Sequence, residues 1–123
     1  MITNELKQTL AHFTALEEDW DGYGAAKIEA RVITNAQNFL STLLREFSNL
    51  QITGEDLSPT PYGSIVVDIE VDEKGLVSVE IGKEHIGYFT KYEEGKEDIT
   101  SDLEPSDFLS LPSLLHQAIE NLL

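Results

Sequence analysis

Apolar and polar positions alternate with two different periods along this chain, and the change of period divides it into regions. Leu6, Leu10, Phe13 and Leu16 recur at helical spacing, which predicts an amphipathic helix over residues 3–18. Thr3 or Asn4 can cap its start. A second apolar stripe, Val32, Ala36, Phe39, Leu40, Leu43, Leu44 and Phe47, predicts a longer helix over 29–48. The short connection makes the pair a helical hairpin. Between residues 49 and 63, Gly54, Pro59, Pro61 and Gly63 break the pattern, leaving room for a short edge strand at Leu57-Ser58-Pro59-Thr60.

The period then falls to two. Ile65, Val67, Ile69 and Val71 alternate with Val66, Asp68, Glu70 and Asp72, as a half-buried strand requires. Asp72-Glu73-Lys74-Gly75 supplies a turn, and Val77, Val79 and Ile81 resume the alternation. Gly82-Lys83-Glu84-His85 supplies a second turn, and Ile86 to Tyr92 is rich in aromatic and β-branched residues. Connections this short permit only antiparallel pairing. Residues 93–107 carry seven acids against Lys96 and read as a solvated linker. A last helix starts near Ser110 to Pro112 and runs through Leu114, Leu115, Ala118, Ile119 and Leu122. The expected fold is a single α+β domain of two layers over residues 1–123. It has an N-terminal helical hairpin, a meander of three to four antiparallel strands and a C-terminal helix. If the helices cover one sheet face, the other presents Val66, Asp68, Glu70, Ser78 and Glu80 to water.

Charge narrows the partner class. The formal net charge is -15, from 23 acids and 8 bases. Such a surface repels a phosphate backbone, so nucleic acid is not an expected ligand. It favours solubility and a basic protein partner. The chain has no Cys, which excludes thiolate metal sites and nucleophiles and suits a reducing cytoplasm. The N-terminus lacks the pattern of a secretory signal, and no apolar run reaches the roughly 18–20 residues of a membrane span.

The stretch Glu17-Glu18-Asp19-Trp20-Asp21-Gly22-Tyr23-Gly24-Ala25 concentrates acids, the sole Trp and two Gly between the two helices. Glu17, Asp19 and Asp21, followed by Gly22, resemble the start of an EF-hand calcium loop, with Glu29 as a late ligand. The twelfth position breaks the match, because Ile28 stands where a bidentate Glu belongs. The competing reading is a structural joint. There Trp20 and Tyr23 bury their rings on the hairpin, Asp21 accepts backbone N–H groups, and Gly22 or Gly24 gives a left-handed helix cap. Acids at a helix C-terminus oppose the helix dipole, so Glu17, Glu18 and Asp19 call for a positive neighbour or an earlier helix end.

Trp20-Asp21-Gly22-Tyr23-Gly24-Ala25, with Lys27-Ile28 and Asn35-Ala36 beyond, resembles small uncharacterised bacterial proteins with the signature W-D-G-x-G/N-A-x-P/K-I. Pro59-Thr60-Pro61-Tyr62-Gly63-Ser64-Ile65 is similar to a second patch in them. The resemblance spans roughly residues 10–92 and implies a bacterial or phage origin and a fold, with no activity attached. One departure is Glu29 at the start of the second helix, a poor N-cap.

No other catalytic signature stands out. His12, His85 and His116 lack metal-ligand spacing, and no nucleophile elbow or phosphate loop is present. Asp19 or Asp21 with Asp68 or Glu70 is the one carboxylate pairing worth considering for acid–base work. The leading expectation is a non-enzymatic, cofactor-free interaction module, antitoxin-, immunity- or inhibitor-like. It would bind a basic protein through Trp20, Asp21, Tyr23, Asp68, Glu70 and Glu80. The alternative is a calcium-binding domain using Glu17, Asp19, Asp21 and Glu29. Homodimer formation stays open.

Overall fold

A computed structural model describes residues 2–71, 74–92, 97–103 and 113–123. The elements run α1 (Asn4–Thr14), α2 (Ala30–Glu46), a 3-10 turn (Gly54–Asp56), β1 (Leu57–Pro59), β2 (Ile65–Val71), β3 (Gly75–Ile81), β4 (Ile86–Tyr92), β5 (Glu97–Leu103) and α3 (Ser113–Leu122). The sheet is an antiparallel meander in the order β1-β2-β3-β4-β5. The α+β class, the helical hairpin and the C-terminal helix are as expected.

The core follows the two periods. Leu6, Leu10 and Phe13 of α1, Val32, Ala36, Phe39, Leu40 and Leu43 of α2, and Leu115 and Ile119 of α3 are buried. They form one cluster with Ile65, Val67, Ile69, Val77, Val79, Ile81 and Ile86. The helices thus cover one face of the sheet. On the other face Val66, Asp68, Ser78 and Phe89 are half-buried, while Glu70 and Glu80 are exposed. The acidic face is where the alternation puts it.

Two boundaries differ from expectation. The stretch 93–107, read as a linker, contains β5, which pairs with β4 through Phe89↔Ile99 and Thr90↔Asp98. Its acids conceal a strand because pairing with a neighbour's backbone needs no apolar side chain. The remaining residues of that stretch, 93–96 and 104–107, lie outside the described residues, as does the expected helix start at Ser110 to Pro112. The other difference is at α1, which ends at Thr14 rather than near residue 18. The Ala15 and Leu16 N–H groups bond three residues back, to His12 and Phe13 carbonyls at 3.1 and 3.2 Å. This tightening closes the helix. Leu16 continues the apolar stripe only because it still packs against the core from the loop.

The helix starts behave as their residues dictate. Thr3 caps α1, its hydroxyl accepting from Leu6 N–H at 3.2 Å. Glu29 is the N-cap of α2 and makes no side-chain cap bond.

Candidate functional site

With α1 ending at Thr14, Glu17, Glu18 and Asp19 stand clear of its C-terminus, and the expected conflict with the helix dipole disappears. These residues belong to a loop that holds its own shape. Asp19 takes φ +64, the only positive value at a non-glycine among the described residues. Its N–H donates to the Ala25 carbonyl at 2.8 Å, and its Oδ1 accepts from Gly24 N–H at 2.6 Å. Asp21 Oδ1 accepts from Tyr23 and Ala25 N–H groups at 2.8 and 3.1 Å, the role foreseen for it. Trp20 Nε1–H donates to the Ala26 carbonyl at 3.0 Å, and its ring is half-buried. Gly22 and Gly24 take φ +78 and +86, as expected of left-handed positions, but they shape the loop and do not cap the helix.

Tyr23 departs from expectation. It is 93% exposed, not buried on the hairpin. A short loop closed by Asp21 turns the ring outward.

The calcium ligand set does not assemble. Asp19 and Asp21 spend oxygens on the loop's own N–H groups. Glu29 Oε2 pairs with Lys83 Nζ at 2.9 Å. Among the described residues no three His, Asp or Glu groups converge as ligands. The acid–base pairing fares no better, since Asp68 Oδ1 accepts from Ser78 Oγ at 2.7 Å, within the outer sheet face.

A second loop, missing from the site residues expected from sequence, completes the surface. Thr60 N–H donates to the Ser64 carbonyl, closing Thr60–Ser64 at the mouth of β2. The Thr60 and Ser64 hydroxyls lie 2.6 Å apart, and Ser64 Oγ donates to Glu80 Oε2 at 2.6 Å. Gly63 takes φ +84. This loop meets the first, where Ala26 N–H donates to the Pro61 carbonyl at 2.8 Å. A Cβ at Gly63 would lie 3.2 Å from the Lys27 carbonyl oxygen. The two stretches singled out in the sequence, Trp20–Ile28 and Pro59–Ile65, are therefore one surface feature. Tyr62 projects from the second loop at 87% exposure. An aromatic between Pro and Gly in a turn was the signal available for it.

The β3–β4 hairpin borders the same end. Asn35 Nδ2 donates to the Gly82 and Lys83 carbonyls at 2.9 and 3.1 Å. Of the expected partner-binding residues, Trp20, Asp21 and Tyr23 share one loop, and Glu80 is tied through Ser64 to its neighbour. Asp68 and Glu70 lie progressively further along β2, where they line a cleft with Asp56. His12 and His85 are exposed; His116 packs tilted against Phe47, ring centroids 4.8 Å apart, and faces Glu120 at 3.6 Å.

No helix among the described residues is long and apolar enough to cross a membrane. Comparison with known proteins gives no match to any family model, curated protein or solved structure.

Proposed function

We propose that this chain is a non-enzymatic interaction module of bacterial or phage origin that binds a basic protein, as an antitoxin, immunity protein or inhibitor does. The observation that carries the reading is the exposure of Tyr23 and Tyr62 on two loops fastened to each other. Tyrosine offers large contact area at low entropic cost, and it is enriched among interface residues that dominate affinity. Holding both rings on a hydrogen-bonded frame lowers the ordering cost of binding further. Exposed Glu18 and Asp19, bonded within the Tyr23 loop, Glu17 just ahead of it in the chain, and Glu80, bonded to Ser64 of the second loop, favour a positively charged partner. A Lys or Arg of that partner can lie over a Tyr face while pairing with a carboxylate.

The test is capture from lysate of the source cell by wild-type protein and by the Tyr23→Ser/Tyr62→Ser variant, at low salt. A basic protein retained by the wild type, lost from the variant and released by salt supports the reading. Equal capture by both, or none by either, would overturn it.

A further inference from the structure

We propose a second docking place, at the far end of β2: a cleft that takes an extended partner segment of alternating basic and apolar residues as an added strand. This goes beyond the tyrosine surface and uses none of its residues.

β1 covers only the first part of the β2 edge, pairing Leu57↔Val67, Ser58↔Val66 and Pro59↔Ile65. The chain before β1 leaves the edge because Thr53 and Asp56 form a capping box that winds Gly54–Asp56 into a 3-10 turn. At the other end of β2, Lys74 N–H donates to the Val71 carbonyl at 3.0 Å. That fixes Val71's polar backbone toward β3. Successive residues of an antiparallel strand direct these groups to opposite sides, so Glu70 directs its N–H and C=O to the edge that β1 has left. No backbone partner reaches Glu70 there among the described residues. An uncovered edge is a ready template for strand addition.

Beside this edge lies a cleft of about 360 Å³. Leu50, Ile52 and Leu123 line it together with Asp56, Asp68 and Glu70. Side-chain alternation sorts these for an incoming strand. Its side chains on the outer sheet face would stand beside Asp68 and Glu70, which selects Lys or Arg. Those on the helix-covered face would meet Leu50 and Ile52, which selects apolar residues. A second copy of this chain is a poor occupant, because each copy carries a net charge of -15 and the cleft would face its like.

The probe is a capped Lys-Val repeat peptide of about eight residues, longer than the Asp68–Val71 stretch that β1 leaves, so that more than one register can reach Glu70. It is titrated into the full ¹⁵N-labelled chain and followed by amide shifts. The expected result is saturable movement of the Glu70, Asp68, Leu50 and Ile52 amides, with slowed hydrogen exchange at Glu70 N–H. N-methylation of alternate peptide nitrogens, and the Asp68→Asn/Glu70→Gln variant, should each weaken binding by about tenfold. The variant's unperturbed spectrum elsewhere reports that it is folded. Tyr23→Ser/Tyr62→Ser should leave this binding unchanged, which separates it from the tyrosine surface. Shifts confined to the tyrosine loops, no shifts at millimolar peptide, or indifference to N-methylation would each overturn strand addition in the cleft.

Discussion

Gly22 and Gly63 both hold left-handed backbone, yet a methyl group meets different surroundings at each. At Gly22 nothing lies within 4 Å of an added Cβ; at Gly63 the Lys27 carbonyl oxygen stands 3.2 Å away. Gly22→Ala should therefore cost only the left-handed strain, about 1–2 kcal/mol. Gly63→Ala should cost more, by about 1 kcal/mol, because it also pries the two loops apart. Urea unfolding of both variants checks this; equal costs would mean the loops part without penalty. The aromatics divide likewise. Trp20→Phe removes the donor to the Ala26 carbonyl and should lower stability by about 1 kcal/mol. Tyr23→Ser should leave it within about 0.5 kcal/mol, since the ring touches almost nothing. Asp21's bonds were legible in the sequence because an Asx turn is local chemistry. Tyr23's direction was not, because a residue outside any helical or strand period has no pattern to say which way it faces.

Elements are legible where apolar residues recur at a fixed period and obscure where they do not. β2 and β3 announce themselves by alternation; β5 carries Glu97, Asp98 and Asp102 and reads as solvent. α1 reads too long in the sequence because Leu16 keeps the helical rhythm after the helix has closed. The union of the Trp20–Ile28 and Pro59–Ile65 loops was illegible for another reason: it is made by backbone groups, Ala26 N–H and Pro61 C=O, which no side-chain pattern encodes. The sheet also contains one local misfit. Thr90 of β4 is fully buried on the helix-covered face, and its Oγ1 has no hydrogen-bond partner among the described residues. A hydroxyl desolvated without a partner costs roughly 1–3 kcal/mol. Thr90→Val keeps the shape, suits a strand and should raise stability by about 1 kcal/mol, measured as a higher denaturation midpoint with an unchanged slope. A loss of stability would show that the hydroxyl is in fact satisfied.

At the scale of the whole molecule, 23 acids stand against 8 bases, a net charge of -15. The ion pairs Arg31–Glu84 and Lys83–Glu29 are solvent-exposed and contribute little. Self-repulsion at this net charge opposes the compact state, and salt screens it within a Debye length of about 10 Å at 0.1 M. Raising NaCl from about 0.01 to about 0.3 M should therefore raise the melting temperature, while the same change weakens capture of a basic partner. Glu17 sharpens the contrast, being exposed and just ahead of the first tyrosine loop in the chain. Glu17→Lys relieves repulsion, so stability should hold or rise, within about 0.5 kcal/mol. The association rate with the partner should fall, because a charge near an interface acts mainly by steering encounter. Calorimetric melting and stopped-flow association on one preparation read the two effects together. If Glu17→Lys destabilised the fold and left association unchanged, the acids would be structural and the tyrosine surface would have no basic partner to explain them.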